Sequence, residues 1–86
     1  MVFEVFLHPK ARDFLKKADS KMRDAIKSRL EWLKDNPESG KPLKHCPFRS
    51  LRVCDYRVIY ELDGQKIVVL FIGHRKNVYD DFSKLF

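Results

Sequence analysis

The chain has 86 residues, 44% of them hydrophobic and 35% charged, a composition that fits one folded domain over 1–86 and excludes a disordered polymer. Lys and Arg number 18 against 12 Asp and Glu, a formal charge of +6 that favours an anionic partner, nucleic acid or an acidic protein, with a generally basic surface as the alternative. No apolar run approaches the roughly 20 residues that span a bilayer, and the start "MVFEVFLHPK" has no basic n-region or cleavage site, so no membrane partner is expected and the expected location is cytoplasmic.

Residues 2–7, VFEVFL, are short, β-branched and aromatic, and predict a first strand. Pro9 suits the first turn of a helix, and Ala11, Phe14, Leu15 and Ala18 follow at helical spacing. Asp19 and Ser20 end that helix and cap a second one over about 20–35, with Met22, Ala25, Ile26, Leu30 and Leu33 along one side. So short a separation makes the two helices a hairpin. The stretch 37–47, PESGKPLKHCP, carries three prolines and predicts a surface loop with Lys41 and Lys44 exposed.

Three strand signals follow, at 48–53, 56–62 and 66–73. A two-residue turn at Cys54-Asp55 sets Arg52 opposite Arg57. A second turn at Asp63-Gly64 pairs Glu61 with Lys66. This register puts Leu51, Val53, Tyr56, Val58, Tyr60, Leu62, Ile67, Val69 and Phe71 on one face, which takes the helix hairpin. The other face carries Ser50, Arg52, Arg57, Ile59, Glu61, Lys66, Val68, Leu70 and Ile72. The tail 78–86 predicts a short terminal helix. The expected fold is α+β: an N-terminal strand, a two-helix hairpin on one face of a small, mainly antiparallel sheet, and a short C-terminal helix.

Cys46 and Cys54, the only cysteines, sit at either end of a predicted strand, which is poor geometry for a bridge, and read as free thiols. With His45 and His74 they show no C-x2-C or H-x3-H spacing, and no carboxylate cluster is evident, so neither a metal nor another cofactor is expected.

Like charges facing across a sheet repel. Either Asp55 or Glu61 neutralises the Arg52–Arg57 pair, or it splays into water, or it awaits an anion. The segment after Gly73 brings His74, Arg75 and Lys76 to the same end of the sheet, with Tyr79 close behind. A guanidinium fork suits phosphate oxygens, and preorganised cations lower the barrier to phosphodiester cleavage. RNA supplies its own nucleophile in the 2′-OH, and a ring such as Tyr79 can stack on a splayed base.

The order strand–helix–helix–strand–strand–strand, with LRVCDYRVIYEL followed by KIVVLFIGHRKNVY, resembles the RelE branch of the RelE/ParE toxin superfamily over nearly the whole chain. The resemblance implies a metal-free endoribonuclease that cuts mRNA on the ribosome and is restrained by a RelB-like antitoxin. By motif position it places catalytic roles on Arg57, Arg75 and Tyr79, with Arg52 as the basic residue ending the preceding strand. A second basic residue that some members carry two positions earlier falls on Ser50. Arg49, Lys44, His45 and His74 are then the candidates to compensate, and the near-neutral titration of imidazoles favours His74. Lys41, Lys44, Arg49 and Lys76 are expected to contact RNA backbone. The alternatives are a ParE-like topoisomerase poison without RNase activity and a catalytically silent RNA-binding module.

Overall fold

The computed structural model describes residues 3–43, 47–74 and 76–78. The chain runs as strand β1 (Glu4–Leu7), helix α1 (Pro9–Lys17), helix α2 (Ser20–Asp35) and strands β2 (Lys41–Pro42), β3 (Phe48–Val53), β4 (Tyr56–Asp63) and β5 (Lys66–His74). The strands form one sheet in the order β1-β5-β4-β3-β2, with β1 parallel to β5 and every other pair antiparallel. This is the expected α+β arrangement. The terminal helix expected over 78–86 lies outside the described residues beyond Val78.

Local chemistry accounts for the helix ends. The His8 Nδ1 accepts from the Lys10 amide at 3.3 Å, with Pro9 in the first turn. The Asp19 carboxylate accepts from the Met22 amide at 2.7 Å. Each cap satisfies a donor that the helix cannot satisfy itself. Arg23 ties the hairpin together: its Nε donates to the Leu15 carbonyl and its Nη2 to the Ala18 carbonyl, each at 3.0 Å. One guanidinium thus satisfies carbonyls orphaned at the end of α1. The buried stripe of the hairpin is Ala11, Leu15, Ile26, Leu30 and Leu33, packed on Leu51, Val53, Val58, Tyr60, Ile67, Val69 and Ile72 of the sheet.

The sheet departs from the predicted register in two places. Gly64, with φ 62°, takes the first central position of the second hairpin turn, so the turn is Gly64-Gln65. Lys66 therefore pairs with Asp63, and Glu61 faces Val68. Further along, Tyr60 pairs with Val69 but Ile59 pairs with Phe71, which leaves Leu70 as the extra residue of a β-bulge. Because side chains alternate, one extra residue exchanges the faces of all that follow. Ile72 joins the helix-side core, and Phe71 packs on the other side near Ile59, Leu70 and Val78. That reverses the expected places of Phe71 and Ile72.

The segment expected as a plain loop contains β2, and a buried phenol holds it there. Tyr60 is fully buried; its Oη donates to the Pro37 carbonyl at 2.8 Å and accepts from the Gly40 amide at 2.9 Å. Arg49 adds bonds from Nη1 to the carbonyls of Glu38 at 3.2 Å and Gly40 at 3.0 Å. Burial pushes the Tyr60 phenol above its ordinary value of 10.0, against smaller opposing effects of the Gly40 amide and Arg49 and with a still smaller push upward from Glu38. An acid whose folded pKa is raised contributes stability that is complete below the unfolded value and is lost as pH rises through the folded one. Urea unfolding from about pH 8 to 11 should therefore show the parent losing stability above about pH 10 more steeply than Tyr60→Phe. Parallel curves would remove the phenol from the alkaline transition.

Among the described residues no helix is long and apolar enough to cross a membrane.

Candidate functional site

The β3–β4 hairpin builds the arginine row. Its turn is Cys54-Asp55, with Cys54 exposed and at φ 54°, and Arg52 pairs directly with Arg57 as the sequence predicts. Across β4 the next partner of Arg57 is Gly73. A Cβ at Gly73 would come within 3.0 Å of the Phe71 ring and 3.2 Å of a Val78 methyl, so the close approach of Val78 favours glycine there. The row Arg52–Arg57–Gly73 therefore holds two long cations and one empty place.

The two guanidiniums avoid each other by turning apart. Arg52 Nε donates to the Cys54 carbonyl at 3.2 Å, back along its own turn. Arg57 Nη1 donates to the Ser50 hydroxyl at 3.2 Å, diagonally across the hairpin. Neither Asp55 nor Glu61 pairs with them; among the described residues the ion pair within 4.0 Å is Lys34–Glu31 on α2. The positive charge of the row is thus left uncompensated by carboxylates of the described residues. Arg52 is exposed and Arg57 is partly exposed, so both can meet a ligand.

The other predicted site residues divide. Lys41 faces Ser50 in the β2–β3 register, and directly opposite residues share a face, so it joins the arginine side. Nothing in the local sequence signals this, because β2 depends on tertiary bonds from Tyr60 and Arg49. Arg49 alternates to the other side, and its guanidinium is engaged by the 38–40 backbone. His74 also lies away from the arginines. It pairs with Tyr56, the two rings meet edge-on at 5.6 Å, and Tyr56 meets Phe14 at 5.3 Å. Its Nδ1 accepts from the Lys76 amide at 3.3 Å. The bulge at Leu70 is the cause: without it, His74 would project on the arginine side. Lys76 sits in an exposed turn. Arg75, Tyr79, Lys44 and His45 lie outside the described residues.

Chemically, the described face offers two guanidiniums and one ammonium, with the Ser50 hydroxyl buried beneath them. Such a set is chemically able to hold an anion with several oxygens and to stabilise charge that grows on it. A guanidinium stays protonated in proteins, so the arginines stabilise charge and do not take up a proton.

Comparison with known proteins gives a consistent kinship. The family described as "ParE toxin of type II toxin-antitoxin system, parDE" matches residues 5–79. Among solved structures, the toxin–antitoxin complex RelBE2 of Mycobacterium tuberculosis is similar at 27% identity and a TM-score of 0.79, covering 87% of this chain and 100% of that one. The intact RelBE complex of E. coli matches at 18% identity and a TM-score of 0.76, over 84% of this chain and 95% of that one. A chromosomal ParDE system from P. aeruginosa matches at 17% and 0.71, with the same coverage of 84% and 95%. Comparison with curated protein sequences gives no match.

Proposed function

The chain belongs to the ParE toxin family of type II toxin–antitoxin systems, and from that premise we propose that it acts in the RelE manner, as an endoribonuclease that cuts mRNA on the ribosome. The observation that carries this reading is the Arg52–Arg57 pair, placed directly opposite across the hairpin with no carboxylate among the described residues to neutralise it. Such a pair costs stability in the free protein. It is repaid when a phosphodiester lies between the forks.

The chemistry needs little else. The 2′-OH attacks the adjacent phosphorus, a 2′,3′-cyclic phosphate forms, and the 5′ oxygen leaves with a proton. Negative charge grows on the phosphorus oxygens, where Arg52 and Arg57 donate. By resemblance Arg75 and Tyr79 complete the site, Arg75 on the phosphate and Tyr79 stacked on a base. Proton transfer falls to a group other than His74, whose ring lies on the helix side of the sheet.

The similar structures from M. tuberculosis and E. coli are toxin–antitoxin complexes. By likeness a RelB-like antitoxin restrains this chain, and a net charge of +6 suits an acidic wrapping segment. A substrate on translating ribosomes places the protein in the cytoplasm.

The family description and the ParDE likeness favour a second reading, a topoisomerase poison without RNase activity. Inducible expression followed by mapping of mRNA 5′ ends decides between them. Cuts within codons of translated messages support the RNase; DNA-damage signalling with intact messages supports the poison. Salt gives an independent check. Three phosphate contacts to single-stranded RNA, from Arg52, Arg57 and Lys41, give a log–log slope of about −2, or roughly 20-fold weaker binding between about 50 and 200 mM salt. An affinity indifferent to salt across that window would point to a protein as the main ligand.

A further inference from the structure

We infer that Ser50 is the floor of a three-cation phosphate cradle whose third member, Lys41, is delivered from the edge of the sheet by β2. This rests on the RNase reading and deepens it, by giving Lys41 a place on the reacting phosphate.

Ser50 is buried and presents only a hydroxymethyl group on the arginine side of β3. Three cationic residues are its neighbours on that face. Lys41 is its direct partner on β2. Arg57 Nη1 stands 3.2 Å from its hydroxyl oxygen. Arg52 is two residues along the same strand, hence on the same face. Lys41 itself is exposed, and it makes no hydrogen bond or ion pair through its side chain among the described residues.

The anchoring of β2 is the second observation. A two-residue edge strand has little to hold it by itself. Here Gly40, the residue before Lys41, is gripped twice: its amide by the Tyr60 hydroxyl, its carbonyl by Arg49. Leu43, two residues after Lys41, donates its amide to the Phe48 carbonyl at 3.0 Å. The backbone of Lys41 is thus fixed on both sides while its ammonium stays free to reach a ligand.

The three heads are complementary. Guanidinium forks engage oxygens in pairs, and an ammonium acts as a compact point charge. As the 2′ oxygen attacks and the 5′ oxygen departs, charge rises on the remaining phosphorus oxygens, and Lys41 meets an oxygen that the two forks leave uncovered. An interaction that strengthens in the transition state raises the chemical rate rather than the affinity.

Single-turnover cleavage on mRNA-programmed ribosomes separates these quantities. Lys41→Ala should lower the saturating rate by about 10-fold or more while the half-saturating concentration moves less than about 3-fold. Lys41→Arg should recover most of that rate. A full rate in Lys41→Ala, or a loss confined to half-saturation, overturns the assignment. A second measurement is independent of cleavage: a 2′-deoxy dinucleotide, which cannot be cut, is titrated into the full chain and followed by amide NMR. The amides of Lys41, Ser50 and Arg57 should shift, and less so in Lys41→Ala. If the parent cuts no mRNA but these amides shift, the RNase reading fails and the cradle stands. If Lys41 and Ser50 do not respond, the cradle falls whatever the cleavage assay gives.

Discussion

Replacing Arg57 with alanine is expected to slow mRNA cleavage on the ribosome by on the order of 10²-fold or more, the usual consequence of losing one preorganised donor to a developing charge. The fold should survive. The substitution gives up a part-buried bond to the Ser50 hydroxyl at 3.2 Å, worth about 1 kcal/mol, and relieves the residual repulsion from the splayed Arg52, which offsets part of that loss. Thermal unfolding of Arg57→Ala should therefore stay close to that of the parent. Arg57→Lys separates charge from geometry: it keeps the cation and loses the planar fork, so it should fall between the two. Primer extension on programmed ribosomes measures the rate. An Arg57→Ala protein that cuts at the parental rate would remove the arginine row from the chemistry and leave the topoisomerase-poison reading in possession.

The parts of this molecule that the sequence predicts are those governed by neighbours along the chain. Pro9 and Asp19 mark the helix starts because capping is a matter of two or three residues. The Arg52–Arg57 pairing follows from a tight turn one residue away on each side. What local pattern cannot carry is decided by contacts far apart in the chain. The bulge at Leu70 leaves no trace in hydrophobicity, since Phe71 and Ile72 are both apolar and either can face either core. Its effect is nonetheless large: it carries His74 out of the expected site and sets it against Tyr56. Strand β2 is equally hidden, because the bonds that fix it come from Tyr60, 20 residues beyond Gly40, and from Arg49. Lys41 could be read from sequence only as an exposed lysine in a loop; its position opposite Ser50 is a tertiary fact.

That tertiary dependence makes Gly40 a sensitive position. Its φ is not in the left-handed region, so alanine meets no conformational strain there. Alone, the exchange would even stabilise by about 0.4–1 kcal/mol through the unfolded chain. The obstacle is space. A Cβ at Gly40 would stand 2.7 Å from the Tyr60 ring carbon Cε1. Tyr60 is fully buried and bonded on both sides of its hydroxyl, so it has no free direction to yield. Gly40→Ala must either push the 37–40 segment off the phenol, leaving Tyr60 Oη and its partners unpaired, or distort the core beneath the ring. Overpacking of this kind costs about 1–3 kcal/mol, and an unpaired buried polar group costs a comparable amount. Against a total stability of about 5–15 kcal/mol for a small domain, this is a large fraction. Urea unfolding should show a clearly lower midpoint with an unchanged slope, the mark of a native state weakened without being expanded. Cleavage should fall as well at temperatures where Gly40→Ala is fully folded, because Lys41 loses its fixed backbone. A midpoint within error of the parent would mean that the phenol moves aside freely, and that Tyr60 does not hold β2 in register with β3.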